Sequence, residues 1–137
     1  MTTDADCLFC KIVAGELPAE KIHEDERTIA FMDINPGTTG HALVIPKKHT
    51  KDLLEIEPDE LAAVAASAQT IARRATERLN ADGINLLNCC GAEAWQTVFH
   101  FHLHVVPRYV DDPLQLPWIP TPGEPDEIAR TAKLLRD

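Results

Sequence analysis

Between residues 100 and 106 the chain reads His100-Phe101-His102-Leu103-His104-Val105-Val106, so three of its six histidines fall on every second position. No other stretch restricts the fold as much. Side chains alternate between the two faces of a β-strand. As a strand, this segment carries three imidazoles on one face and an apolar set on the other. As a helix it would scatter the same imidazoles over more than half the circumference, where no single site could use them. The β-favouring spacers agree with a strand, and Pro107 is expected to terminate it. A face of histidines is poor packing material, so the segment is expected to carry chemistry. The plainer reading is a half-exposed strand that turns its histidines to water.

The 137 residues fit one domain and are enough to enclose a core. The net charge of −9, from 13 basic and 22 acidic residues, argues against a broad nucleic-acid-binding surface. It leaves room for a small phosphorylated ligand, because a pocket can supply its own positive potential. No apolar run approaches the ~20 residues that span a bilayer, so no membrane partner is expected. Met1-Thr2-Thr3-Asp4-Ala5-Asp6 has neither a basic region nor an apolar core of a secretory signal. The expectation is a cytoplasmic protein whose four cysteines are thiols or metal ligands rather than disulfides.

Along the chain, Cys7-Leu8-Phe9-Cys10 opens the ordered part, followed by Lys11-Ile12-Val13 and a turn at Gly15. A CxxC pair alone is a weak signal, and no βαβ pattern surrounds it to favour redox chemistry. Lys21–Glu24 and Thr28–Met32 read as short strands around the charged turn Asp25-Glu26-Arg27, and His41–Pro46 as a third. Glu57-Pro58-Asp59-Glu60 starts a helix, with proline and acids suited to its first turn. Leu61, Val64, Ala65, Ala68, Ile71, Ala72, Ala75 and Leu79 then recur at helical spacing. Arg73, Arg74 and Arg78 suit the helix dipole as a solvated face, and Asn80 to Gly83 stops the helix. Ile84–Cys89 reads as a fourth strand, with a loop from Cys90 to Trp95. Six of the ten prolines lie between Pro107 and Pro125, an extended tail in which Trp118 is the expected packing anchor. Asp126–Arg136 makes a short terminal helix. The fold class is therefore α+β: a mostly antiparallel sheet of about five strands with one long helix and a short C-terminal one.

At H-x-H-x-H-x-x the sequence resembles the histidine-triad (HIT) family of nucleotide hydrolases and transferases. The likeness extends to Ala30-Phe31-Met32-Asp33-Ile34-Asn35-Pro36, to Gly40-His41-Ala42-Leu43-Val44-Ile45-Pro46-Lys47-Lys48-His49, to Gln96-Thr97-Val98-Phe99 and to Val106-Pro107-Arg108. These matches run in order over residues 7–108, which implies one HIT-like domain with a proline-rich extension at 109–137. The resemblance implies that His102 is the nucleophile. It would attack the α-phosphorus of a nucleoside phosphoanhydride, phosphoramidate or dinucleoside polyphosphate, and water would then release the monophosphate. His104 would hydrogen-bond the phosphate oxygens as charge develops, with Gln96 and Thr97 beside the phosphate and leaving group. Asp33 matches the carboxylate that accepts the ribose hydroxyls. Leu8, Phe9, Phe31 and Ile34 match the apolar walls around a purine base. On composition alone, Phe31, Ile34 and Leu8 would pass as core and Asp33 as a turn residue.

Cys7, Cys10, His49 and His100 match the zinc ligands of those family members that carry zinc, a Cys₂His₂ set suited to a closed structural site. Without a metal, the same residues would be two small buried thiols and two hydrogen-bonded histidines. The family also implies a homodimer. Two departures stand out. The family usually has glycine at the position of Trp95, and its usual asparagine two residues before the loop glycine is replaced by Cys89, with Asn88 adjacent. Asn88 and Trp95 are accordingly placed with the nucleotide site, and Trp95 either narrows the leaving-group side, offers a stacking surface or marks a shifted loop. Cys89 and Cys90 read as packed or loop thiols, their adjacency disfavouring a mutual disulfide. Nucleotidyl transfer or phosphorolysis, and a zinc-stabilised nucleotide-binding module with little turnover, are the competing readings.

Overall fold

The computed structural model describes residues 4–137. Five strands form one antiparallel sheet: β1 (Lys21–Glu24), β2 (Thr28–Met32), β3 (Ala42–Pro46), β4 (Gly83–Leu87) and β5 (Leu103–Arg108). Their order across the sheet is β1-β2-β3-β5-β4, so the last strand inserts between β3 and β4. Three helices accompany them: α1 (Leu8–Val13), α2 (Pro58–Arg78) and α3 (Pro125–Leu135). The fold is α+β, as the alternation of patterns predicts.

The period-two alternation sorts side chains onto two cores. Ala30, Ala42, Val44, Phe101 and Val105 face α2, where Val64, Ala68 and Ile71 complete one buried cluster. Ile29, Phe31, Leu43 and Ile45 point the other way and pack with Phe9 and Ile12 of α1. His102 and His104 alternate with Phe101, Leu103 and Val105, so they share the α1 face. Burial of α2 carries much of the stability, since each fully buried Val or Ile contributes roughly 1.5–3 kcal/mol. The α2 stripe differs from expectation at three positions. Ala65 and Leu79 are exposed, while Ser67 is buried. A polar residue is tolerated there because the Thr28 and Ser67 hydroxyls lie 2.6 Å apart, and Ser67 also donates to Asp25 at 3.2 Å.

Three other expectations are corrected, and one segment carries an element for which there was no expectation. The regular ladder starts at Leu103 rather than His100, although Phe101 N–H already donates to the Thr50 carbonyl at 2.7 Å. Pro107 lies inside β5 instead of ending it. Its carbonyl accepts the Thr38 hydroxyl at 2.6 Å, beyond Ala42↔Val105, the last pair with β3. A strand residue's N and C=O point to the same side, so proline's missing N–H costs no ladder bond here. The segment after Cys7 is a helix, α1, which a six-residue run without clear periodicity did not announce. Trp118 is no anchor: it is 63% exposed, and α3 buries no residue at all.

Candidate active site and metal centre

A cavity of about 530 Å³ opens on the α1 face of the sheet. His102, His104, Asp33 and Thr97 bring polar groups to its wall, and Leu8, Phe9, Phe31 and Ile34 bring apolar ones. Its size and its mixture of apolar wall and few polar groups suit a small ligand. Phe9 meets His102 edge-on, with ring centroids 5.2 Å apart, and packs the same way on Phe31 at 5.4 Å.

Hydrogen bonds assign the proton on each imidazole of the site. His102 Nδ1 lies 2.8 Å from the His100 carbonyl, which can only accept, so Nδ1 carries the proton and Nε2 keeps its lone pair. The Gly37 N–H donates to His41 Nδ1 at 2.9 Å. His41 Nε2 must then carry the proton and donate to His104 Nδ1, 2.9 Å away. His104 is thereby left with its proton on Nε2, a donor. His102 thus keeps an unprotonated Nε2, and His104 beside it keeps a donor. Burial pushes the pKa of His102 and His41 down, and burial with the adjacent His102 and His41 holds His104 at about 4. Neutral imidazoles at pH 7 follow.

His41 was absent from the sequence-derived site. Asp33 Oδ2 lies 3.4 Å from His41 Nε2 and 3.9 Å from His104 Nδ1, so a carboxylate completes this group. The signal was the turn between β2 and β3, which brings the ends of both strands together: Asp33 N–H donates to the His41 carbonyl at 3.1 Å. Asp33, His41 and His104 could converge on a metal ion, but the Gly37 contact leaves a proton on the His41 nitrogen that would have to ligate it.

Gln96, Trp95 and Asn88 do not line the cavity. The Gln96 side chain is buried, its amide donating to the carbonyls of Lys51 at 2.9 Å and Val98 at 3.1 Å and accepting from Gly91 N–H at 2.8 Å. It locks the loop that delivers Thr97. Asn88 donates to the His102 carbonyl at 3.0 Å, a contact that positions the His102 backbone. Trp95 is 64% exposed with φ 75° and ψ 18°. Trp95 N–H bonds to Ala92 O at 3.1 Å and Gln96 N–H to Gly91 O at 3.0 Å. This pair of bonds closes a Schellman turn with Trp95 at the left-handed position where glycine is favoured. The turn keeps a glycine geometry with a tryptophan in it, at a cost of about 1 kcal/mol or more.

Next to this site, Cys7, Cys10, His49 and the first triad histidine, His100, converge, all ligand atoms lying within 4.8 Å of one another. The two histidine Nδ1 atoms are 3.3 Å apart, and the sulfur–nitrogen distances are 3.3 Å (Cys10–His49), 3.4 Å (Cys7–His100) and 3.6 Å (Cys10–His100). A tetrahedral zinc with bonds of about 2.3 Å to sulfur and about 2.0 Å to nitrogen gives edges of about 3.3 Å (N···N) and about 3.5 Å (S···N). The donor set fits. His100 Nε2 donates to the Pro46 carbonyl at 2.8 Å, which turns the Nδ1 lone pair toward the other three ligands. The cluster joins α1, the segment after β3 and the approach to β5, three parts far apart in the chain.

Comparison with known proteins gives the chain its relatives. SMU.412c from Streptococcus mutans UA159 superposes with a TM-score of 0.92 at 40% identity, over 97% of this chain and 85% of that one. A zinc-bound histidine triad family protein from Mycobacterium smegmatis is 47% identical, with a TM-score of 0.78 over 94% of this chain and 95% of its own. Adenylylsulfatase HINT3 of Arabidopsis thaliana is 40% identical over 107 residues, which are 78% of this chain and 54% of that protein. The HIT domain model matches residues 14–111. The chain belongs to the HIT family.

Proposed function

We propose that the protein hydrolyses a nucleoside phosphoramidate, phosphoanhydride or dinucleoside polyphosphate at the α-phosphorus, through a nucleotidyl-histidine intermediate on His102. The observation that carries this reading is the His102 Nδ1–His100 O bond, which leaves an unprotonated Nε2 in a cavity with a donor, His104, beside it. In the first step the Nε2 lone pair forms the P–N bond while the bond from phosphorus to the leaving group breaks. The leaving group takes the electron pair and a proton from solvent. In the second, water attacks the same phosphorus and releases a proton to solvent, the P–N bond breaks, and the nucleoside monophosphate departs as His102 recovers its lone pair. Splitting one displacement into two is the advantage of a covalent route. His104 Nε2–H stabilises the charge gathering on the phosphoryl oxygens in both steps.

The apolar wall of Leu8, Phe9, Phe31 and Ile34 suits a purine, and the Asp33 carboxylate suits ribose hydroxyls. Cys7, Cys10, His49 and His100 would hold a structural zinc, whose contribution is to fix the His100 segment rather than to react. We further read the chain as one domain over residues 7–108 with an extension at 109–137, acting in the cytoplasm as a homodimer. No helix among the described residues is long and apolar enough to cross a membrane. The test is release of nucleoside monophosphate from a panel of adenosine and guanosine phosphoramidates, dinucleoside polyphosphates and adenylylsulfate. Turnover of at least one class, abolished in His102→Ala, is expected. Inactivity across the panel with retained nucleotide binding would instead favour a binding module.

A further inference from the structure

Two residues of the cavity wall lie inside the two-cysteine motif. Leu8 and Phe9 stand between Cys7 and Cys10, and both line the space that holds His102 and His104. The Phe9 ring meets His102 edge-on at 5.2 Å and His100 in the same way at 5.9 Å, so it bridges the cavity and the Cys₂His₂ cluster. Sulfur contacts hold the start of this segment. Cys7 Sγ accepts the Cys10 N–H at 3.4 Å and Cys10 Sγ accepts the Asp4 N–H at 3.4 Å. Cys7 Sγ also reaches His100 at 3.4 Å, and Cys10 Sγ reaches His49 at 3.3 Å. A helix of six residues has little stability of its own, so α1 depends on such anchors. The two sulfurs lie within 4.8 Å of each other, close enough for a disulfide to join them after a side-chain rotation. Cys7 keeps part of its surface in solvent, while Cys10 is 4% exposed. One sulfur can therefore meet a small oxidant and the other can resolve it.

We infer that Cys7 and Cys10 form a site of reversible oxidation by hydroperoxides, whose disulfide dismantles the Cys₂His₂ cluster and slackens the Leu8–Phe9 wall of the cavity. This rests on the reading of that cavity as a nucleotide site and adds a control to it. With hydrogen peroxide, the Cys7 sulfur attacks one oxygen, the S–O bond forms, the O–O bond breaks, and the other oxygen leaves as hydroxide. The Cys10 sulfur then attacks the Cys7 sulfur, the S–S bond forms, the S–O bond breaks, and a second hydroxide leaves. The two sulfurs give up two electrons to the peroxide. Ligating sulfurs are thiolates, so the two protons that turn hydroxide into water come from solvent. His49 and His100 then remain as the only ligands, too few for a closed site. A dithiol reductant reverses the step by thiol–disulfide exchange, and in a compartment that keeps thiols reduced the disulfide is transient.

The test uses the full, reduced, zinc-loaded chain. Hydrogen peroxide is added, zinc release is followed with a chromogenic chelator, and the modified thiols are located by peptide mass. Affinity for adenosine monophosphate is measured by calorimetry before and after, and circular dichroism follows the sheet. About one zinc per chain should be released as the peptide carrying Cys7 and Cys10 becomes two hydrogens lighter. Affinity should fall about 10-fold, the scale of losing one aromatic wall against a base, with the sheet signal kept. Dithiothreitol with added zinc should restore both. Zinc retained under peroxide, oxidation confined to Cys89 and Cys90, or affinity unchanged after zinc release would overturn the switch while leaving the nucleotide reading intact. Loss of the sheet signal would make the cluster a stability device only and would also overturn it. If the reduced, zinc-loaded chain binds no nucleotide, the reading of the cavity falls and the switch falls with it, even where zinc release and the disulfide are seen.

Discussion

The His100 carbonyl oxygen lies 2.8 Å from His102 Nδ1, while the His100 side chain turns its own Nδ1 toward Cys7, Cys10 and His49. One residue thus joins the Cys7–Cys10–His49 cluster to His102, through its side chain on one side and its backbone on the other. What fixes the His100 segment also fixes the tautomer of His102.

This link gives the first prediction. Cys10→Ala removes a sulfur ligand, so zinc measured per chain should fall from about one to near zero, since a closed structural site needs its four ligands. Melting temperature should fall with it, and the loss should exceed that of Cys89→Ala, a buried thiol outside the cluster. Equal zinc content in wild type and Cys10→Ala would remove the metal assignment.

His41 is expected to act through His104. Replacing it with Phe keeps the ring volume and deletes the Nε2–H that orients His104 Nδ1. In steady-state kinetics kcat should drop by about 10- to 100-fold with little change in KM, the range general for losing a well-placed proton donor or its orienter. A change confined to KM would place His41 on the substrate instead.

Trp95→Gly should raise stability although it deletes the largest side chain in its loop. Glycine adopts φ 75° without the Cβ penalty, so denaturant unfolding should show a gain of about 1 kcal/mol. Destabilisation would mean that the indole packs on something in the folded protein.

Acid should weaken the tie between β1, β2 and α2. Burial raises the Asp25 pKa, but N–H bonds from Arg27 and Thr28 and hydroxyls from Thr28 and Ser67 outweigh it and hold the carboxyl at about 2. The folded pKa is below the unfolded one, so this stability is present above about pH 4 and lost as pH falls toward 2. Asp25 is 47% exposed on its side chain, so solvent screening leaves about 1 kcal/mol of the effect. Asp25→Asn should flatten the acid limb of the stability curve between those values.

The strands were legible as short β-favouring runs bounded by turn residues, and the long helix as apolar residues at helical spacing. Lys21–Glu24 and Thr28–Met32 keep the bounds read from the sequence, although β2 is buried on both faces and β1 is mostly exposed. Short or locally driven features were not. α1 is a single turn and a half capped by Cys7, whose sulfur accepts the Cys10 N–H at 3.4 Å, and nothing in six residues announces a period. Pro107 was misread because its effect depends on where β3 stops, which is a tertiary fact. The site residues came together through resemblance, since no spacing relates Cys7 to His100. His41 was missed for the related reason that its partner, His104, lies 63 positions away. Trp118 looked like an anchor by its size, yet the tail that carries it lies away from both cores.

The most direct measurement is the covalent intermediate itself. Wild-type protein is mixed with a dinucleoside polyphosphate, quenched in base within the first turnovers, and analysed by intact and peptide mass. A base-stable, acid-labile nucleotidyl adduct on the peptide containing His102, absent from His102→Ala, is the expected result. Turnover with no adduct at any time, or an adduct and full activity surviving in His102→Ala, would contradict the assignment of His102 as nucleophile.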